Sequence, residues 1–156
     1  MYADTRSLLV NDIMSFPVIT GSEDESIKSI ALKMKKHEVG GIVITDKENR
    51  PIGVITERDI VRRLLAGSKH TLFFTKAKHV MTKPVLTITK DKKLEDAARY
   101  MADNKVKRLC VVDENKKLIG IITEEDITKN ASYLIDILNE MISTGYANAA
   151  NESEKE

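Results

Sequence analysis

Two Thr-x-x-Asp motifs stand out, one formed by Thr56 and Asp59 and the other by Thr123 and Asp126. A carboxylate beside a hydroxyl can bind two adjacent hydroxyl groups, such as the 2′- and 3′-hydroxyls of a ribose, because the carboxylate accepts both hydrogen bonds. The same spacing also serves the fold alone, since a capping Thr accepts from the backbone N–H three residues on and an Asp in the first turn favours the helix dipole. The motifs therefore indicate two ribose-type sites, two helix starts, or both.

The two motifs belong to two copies of one longer pattern. Met14 and Gly53 reappear 67 positions later as Met81 and Gly120, and no insertion or deletion interrupts the match over 12–60. Short similarities arise by chance, but a constant offset through several elements indicates an internal duplication. The two glycines stand three residues before the Thr of each motif, where a missing side chain leaves room for a ligand or for a close contact within a sheet.

Each copy is predicted to fold in the order strand, helix, strand, strand, helix, because β-branched stretches alternate with apolar faces at helical spacing. In the first copy, an opening stretch at 16–20 is followed by a helix that begins with a capping box of Ser22 and Glu25. The apolar face of this helix consists of Ile27, Ile30, Ala31 and Met34. Strands at 42–45 and 52–55 come next, and then a helix from Thr56 through Leu65 that Gly67 closes. The second copy has an opening stretch at 85–88, a helix capped by Asp91 with the face Leu94, Ala97, Ala98 and Met101, strands at 109–112 and 118–122, and a helix opened by Thr123.

One copy of about 60 residues buries too little surface to be stable alone, so the copies are predicted to pack together. The predicted fold class is α/β in its α+β form: two β-α-β-β-α repeats packed sheet to sheet as a pseudo-twofold pair. The limits are a first repeat at 8–67, a linker at 68–79, a second repeat at 80–130, a C-terminal helix at 131–144 and a disordered tail at 148–156, with a short leading helix at 5–12. The C-terminal helix carries its apolar side chains on one side, which either covers its own core or joins a subunit contact: Leu134, Ile137, Leu138, Met141 and Ile142.

The composition narrows the possible functions. Among 156 residues, 25 Lys and Arg balance 24 Asp and Glu, which argues against nucleic-acid binding through bulk charge. The single cysteine, Cys110, excludes an intramolecular disulfide and is predicted to be an inert core thiol in a reducing compartment. No apolar run approaches the roughly 18 residues of a membrane span, and the N-terminal residues lack a signal-peptide core. These features predict a cytoplasmic protein without membrane contact.

Segments at both ends of each repeat resemble the cystathionine-β-synthase (CBS) domain. They are 80–87, 104–113 and 120–126 in the second repeat, and 13–20 and 53–59 in the first, so that the resemblance covers about 10–130. The pair is similar to a stand-alone Bateman module without an attached enzyme or transporter. The resemblance implies a regulatory sensor that binds an adenosyl ligand such as AMP, ADP, ATP or S-adenosylmethionine. It also implies a homodimer, shaped as a flat disc of four repeats, and a protein partner that reads the occupancy.

The resemblance also implies roles for particular residues. The two Thr and Asp pairs would bind ribose. Lys107 and Arg108 would contact phosphate, as a basic pair at this place does in the family, because a guanidinium fork matches a phosphate; Arg58 is a third candidate. The base would lie against the opening stretch of each repeat, where the candidates are Ile13, Ser15, Pro17, Val39, Val80, Thr82, Pro84 and Val106. Each of these could instead pack the core or lie on a solvated edge.

The repeats differ at the candidate phosphate positions. Gly40 and Gly41 match Lys107 and Arg108, and Glu125 matches Arg58. Backbone N–H groups of a Gly-Gly turn can partly substitute for side-chain cations. We therefore predict two non-equivalent sites, of which the one beside Lys107 and Arg108 favours phosphorylated adenosines.

No catalytic residue and no metal ligand is predicted. The sequence has no Walker loop, dinucleotide fingerprint or zinc-ligand spacing, so a non-enzyme is expected. Two other functions remain open. One is a nucleic-acid-binding module, suggested by basic residues interleaved with two aromatics: Lys69, His70, Lys76, Lys78, His79 and Lys83 with Phe73 and Phe74. The other is a structural interaction module whose clefts are empty.

Overall fold

The computed structural model describes residues 7–67, 74–132, 135, 136, 139, 140, 142 and 143. The first repeat contains α1 (Val10–Ile13), β1 (Thr20–Ser22), α2 (Ile27–His37), β2 (Gly41–Thr45), β3 (Pro51–Thr56) and α3 (Glu57–Asp59), which continues as a π-helix (Ile60–Leu65). The second contains a 3-10 turn (Ala77–His79), β4 (Thr87–Thr89), α4 (Leu94–Asn104), β5 (Arg108–Val112), β6 (Leu118–Thr123) and α5 (Glu124–Lys129). The predicted order of elements and the fold class are confirmed.

Each repeat builds a three-stranded mixed sheet, in the order β1-β2-β3 and β4-β5-β6. The first pair of strands is parallel and the second antiparallel in both sheets. The two sheets share a buried cluster that contains Val43 of β2, Cys110 of β5 and Leu118 of β6. Val43 and Cys110 are equivalent residues of the two repeats, so this cluster lies where the pseudo-twofold axis passes between the sheets.

The leading segments of the two repeats are exchanged. The N–H of Val10 donates to the carbonyl of Lys92 at 2.8 Å, and the equivalent N–H of Ala77 donates to the carbonyl of Glu25 at 2.8 Å. Val10 belongs to the core of the second repeat, and Ala77 belongs to the core of the first. Each repeat therefore completes the core of the other, and this stabilises two copies where one copy alone is expected to be unstable.

The predicted N-caps of α2 and α4 are wrong. The cap of α2 is Ser26, whose hydroxyl accepts from the N–H of Ser29 at 3.2 Å, whereas the predicted cap Ser22 is the last residue of β1. The cap of α4 is Lys93, without a side-chain bond, and not Asp91. Asp91 is instead an exposed turn residue, where a hydrogen bond from Thr89 lowers the pKa of its carboxyl.

Other ends shift by a few residues. The paired strands β1 and β4 begin later than the predicted stretches at 16–20 and 85–88, and the leading helix is only Val10–Ile13. The π-helix ends at Leu65 with Ala66 as a right-handed cap, and none of the described glycines has a positive φ, so Gly67 does not close the helix in the expected way.

The C-terminal stretch is helical where it is described, and Ile142 is exposed there. Four residues of the predicted apolar side lie outside the described residues: Leu134, Ile137, Leu138 and Met141. The predicted tail at 148–156 also lies outside them. Among the residues that the structure describes, no helix has the length and apolar character needed to cross a bilayer.

Candidate functional site

Both Thr-x-x-Asp motifs form complete capping boxes. The Thr56 hydroxyl accepts from the N–H of Asp59 at 3.2 Å, while the N–H and hydroxyl of Thr56 donate to Oδ2 of Asp59 at 2.9 and 3.1 Å. Thr123 and Asp126 repeat this arrangement at 3.3, 2.8 and 3.0 Å. The motif therefore fixes the strand-to-helix turn by using Oδ2 and leaves Oδ1 of each Asp as the oxygen available for another partner.

Asp59 meets residues from beyond its own motif. Its Oδ1 accepts from the hydroxyl of Thr82 at 3.3 Å and lies 3.8 Å from Nε of Arg63. Thr82 is held there because its N–H and carbonyl pair with the carbonyl and N–H of Val54 on β3. The equivalent pairing joins Ser15 to Ile121 on β6. The segment that enters each repeat thus lies along the third strand of the other.

A cleft of about 620 Å³ opens beside Asp59 and is lined by both repeats. It contains the candidate ribose residues Thr56 and Asp59 of the first repeat. It also brings together the following candidates for the phosphate and the base: Arg58, Thr82, Pro84, Val106, Lys107 and Arg108. The sequence positions put Arg58 and the Lys107–Arg108 pair in different repeats, yet the fold places these three cations at one cleft.

The remaining candidates for base binding are not part of this cleft lining. Val80 is buried in the core of the first repeat, and Ile13 packs against the core of the second. Val39 lines a neighbouring groove between α2 and α3, which shares Gly40 and Glu57 with the cleft. Ser15 and Pro17 are exposed, with Ser15 beside the strand that leads to Thr123 and Asp126.

The glycines before the motifs leave room for methionine and not for a ligand. A Cβ built on Gly53 would collide with the thioether of Met81 and lie 2.9 Å from its Cγ. A Cβ built on Gly120 would meet Met14 in the same way, with Cγ at 3.1 Å. The expectation of close ligand approach at these glycines is therefore wrong, and the alternative of a tight contact at the sheet is correct.

The cleft is surrounded mainly by positive charge. Lys105 joins Arg58, Lys107 and Arg108 in its lining, against the carboxylates of Glu57 and Asp59. Sequence reasoning missed Lys105 and Arg63. Arg63 stands four residues after Asp59, which is one helical turn, and this spacing could have indicated the pair.

Cys110 lines the cleft without offering a reactive thiol. The residue is 1% exposed, and burial raises the pKa of the thiol to about 12. A protonated thiol is a poor nucleophile and a poor metal ligand. Within the described parts of the chain, no group of three or more His, Cys, Asp or Glu side chains is placed to hold a metal ion.

Both repeats of the chain match a known protein family. The family model described as "CBS domain" matches residues 10–66 and 77–133. An uncharacterized protein of Methanopyrus kandleri is 38% identical over 86% of this chain and 68% of its own length. Inosine-5′-monophosphate dehydrogenase of Methanocaldococcus jannaschii is 35% identical over 79% of this chain, which spans only 23% of that enzyme.

Among solved structures, the CBS domain pair of protein MJ0100 superposes with a TM-score of 0.72 at 29% identity. The match covers 81% of this chain and 97% of that one. That structure is a complex with 5′-methylthioadenosine and S-adenosyl-L-methionine.

Proposed function

The chain belongs to the CBS domain family, with one CBS domain in each repeat, and from this we propose that it is a regulatory module that binds an adenosyl ligand between its repeats. The ligand class is AMP, ADP, ATP or S-adenosylmethionine. The proposal is of a sensor and not of an enzyme. We also propose that the protein is cytoplasmic.

The observation that carries the proposal is the position of Asp59. Asp59 lines a cleft of about 620 Å³, within the size range of small-molecule sites, and its Oδ1 is not used by the capping box. A ribose that donates a hydroxyl to Oδ1 would lie beside Thr56 and Thr82, because the hydroxyls of these two threonines already bond to this carboxylate. From there the phosphates would extend to the cations of the cleft, while Pro84 and Val106 would offer the base an apolar surface.

The solved relative supports the ligand class. The CBS domain pair of protein MJ0100 is a complex with two adenosyl compounds, and it shares the fold of this chain over most of its length. Both of those compounds carry an adenosine and lack phosphates, so the ribose and base positions are the part of the proposal that this relative supports. The phosphate positions are supported by the cations of this chain.

A ligand at this cleft would regulate by shifting a population of arrangements. The cleft is lined by Asp59 of one repeat and Lys107 of the other, so a bound ligand favours the arrangement in which both contact it. Such a shift is limited by the difference in the ligand's affinity for the two arrangements.

The partner that reads the change is proposed to be a second copy of the chain or another protein. Exposed Val61 and Leu65 on the π-helix support a homodimer through the helical face, with light scattering as its test.

A nucleic-acid-binding function is less well supported. Lys76 and Lys78, two of its candidate residues, both form ion pairs with Asp24, at 3.3 and 3.1 Å. These contacts hold the pKa of the Asp24 carboxyl below its usual value and reduce the charge offered to a phosphate backbone. Lys69, His70 and Phe73 lie outside the described residues. Nucleic-acid binding in a gel shift, with an affinity that falls as salt is added, would support this function.

Thermal denaturation with millimolar AMP, ADP, ATP or S-adenosylmethionine tests the proposed function. A ligand that binds the native state alone raises the melting temperature by mass action. We expect a rise with at least one of the four compounds, and guanosine at the same concentration serves as the control for the base. No rise with any of them would contradict adenosyl sensing and favour the structural module. Mass spectrometry of small molecules retained by the purified protein would identify the natural ligand.

A further inference from the structure

Gly41 and Arg108 occupy equivalent positions in the two repeats and lie against each other. Gly41 pairs with Thr56 in the first sheet, as Arg108 pairs with Thr123 in the second. A Cβ built on Gly41 would collide with Nη1 of Arg108 and lie 3.2 Å from its Cζ. The guanidinium therefore fills the space that a side chain of the first repeat would need, and only one of the two positions can carry a long side chain.

The cleft beside Asp59 reaches the pseudo-twofold axis at this point. Gly40 and Lys107 are equivalent residues, and both line the cleft. A cleft that is lined by a residue and by its own equivalent extends to both sides of the axis that relates them. Because Arg108 lines the cleft of Asp59, the same symmetry turns the Gly41 position toward the motif of Asp126. The guanidinium thus extends across the axis, from the ligand position in the cleft of Asp59 toward the predicted ligand position beside Asp126.

We propose that Arg108 is a cation shared by the two ligand positions, so that only one of them at a time holds a phosphorylated ligand tightly. This inference rests on the proposed function. The fork formed by Nη1 and Nη2 of a guanidinium pairs with one phosphate at a time in a bidentate manner. The equivalent Gly41 supplies no second fork. A ligand without a phosphate does not compete for Arg108, so the exclusion applies to nucleotides and not to nucleosides.

Calorimetric titration with AMP and adenosine, which differ only in the phosphate, tests this sharing. In the native chain we expect the second AMP to bind at least about tenfold more weakly than the first. Arg108→Gln should weaken the tight AMP position about tenfold, as expected for loss of a charged hydrogen bond. It should also reduce the difference in AMP affinity between the two positions and leave adenosine binding unchanged. Arg50→Gln is the matched control, because Arg50 lies at the opposite end of the β2–β3 hairpin, paired with Asp46 at 3.7 Å.

Gly41→Ala moves the guanidinium without removing its charge and provides the second arm. The added Cβ must displace the end of a flexible side chain, and Gly41 does not have a positive φ, so the fold should persist by circular dichroism. We expect the ratio of the two AMP affinities to change at least about threefold while adenosine is unaffected. Two AMP positions of equal affinity in the native chain, or AMP binding that neither variant alters, would overturn the sharing alone. Failure of AMP to bind would overturn the inference, whereas the proposed function is overturned only if ADP, ATP and S-adenosylmethionine also leave the melting temperature unchanged.

Discussion

The side chain of Met81 lies against the backbone of Gly53, in the space where any other residue would carry its Cβ. Met81 stands in the segment that enters the second repeat, and Gly53 is on β3 of the first. Met14 and Gly120 repeat the contact in the opposite direction. Two equivalent methionine contacts therefore join the repeats, and each one needs a glycine on the partner strand.

Gly53→Ala is expected to destabilise the protein by about 1–3 kcal/mol, the usual cost of adding a methyl group to a well-packed site. The added Cβ would press on three atoms of Met81, including its Cβ at 3.1 Å, so the side chain cannot relieve the clash at its tip alone. Urea denaturation measures the loss. Gly40→Ala is the control, because its Cβ would approach nothing closer than 3.8 Å. A variant pair that loses equal stability would contradict the account, whereas Met81→Ala should reduce the cost of Gly53→Ala.

These contacts show where sequence reasoning succeeds and where it stops. The duplication, the element order and the two capping boxes follow from local spacing, because Thr56 and Asp59 interact within one turn. The partner of a glycine does not, because Met81 and Gly53 are brought together only by the exchange of the leading segments. The same reason explains why Arg58 and Lys107, in different repeats, could not be assigned to one cleft beforehand. The predicted cap Ser22 is wrong because Ser26, four residues later, offers the same chemistry.

Arg63→Ala should loosen the connection between the repeats. Nη1 of Arg63 donates to the carbonyls of Val80 and Met81, at 3.0 and 3.1 Å, and thereby ties the π-helix to the entering segment. Its side chain is about half exposed, so water can replace part of the loss, and we expect about 1 kcal/mol in urea denaturation. Arg62→Ala removes the same charge from the neighbouring exposed position and should cost less than half as much. Equal losses would show that charge, and not the two carbonyl bonds, determines the effect.

Cys110 should make the protein less stable in alkali. Burial raises the pKa of the thiol to about 12, above its value in the unfolded chain. The unfolded chain therefore releases this proton first, so the stabilisation is complete below about pH 8.5 and is lost between there and about pH 12. The expected slope for this group is about 1.4 kcal/mol per pH unit in that window.

Cys110→Val isolates this contribution, because Val43 already fills the equivalent position beside the axis. Urea denaturation at pH 7.5 and pH 10 compares the two proteins. The native chain should lose more stability than the variant over this interval, since lysines and tyrosines titrate in both. If the native chain and the variant lose the same stability between the two pH values, the thiol is accessible. Rapid reaction of the native chain with a thiol reagent at pH 7.5 would lead to the same conclusion.

Asp59→Asn and Asp126→Asn should have similar effects on stability and unequal effects on binding. Both carboxylates make the same capping bonds, within 0.1 Å of each other, so loss of one acceptor should cost the two variants similar free energies of unfolding. Only Asp59 lines the cleft with Lys107 and Arg108 and accepts from Thr82. We expect AMP affinity to fall about tenfold in Asp59→Asn and at most about threefold in Asp126→Asn, measured by calorimetry at neutral pH. Equal affinity losses would contradict the asymmetry of the two positions. A larger loss of stability in Asp126→Asn would show that the capping boxes are not equivalent, because the additional contacts to Thr82 and Arg63 belong to Asp59.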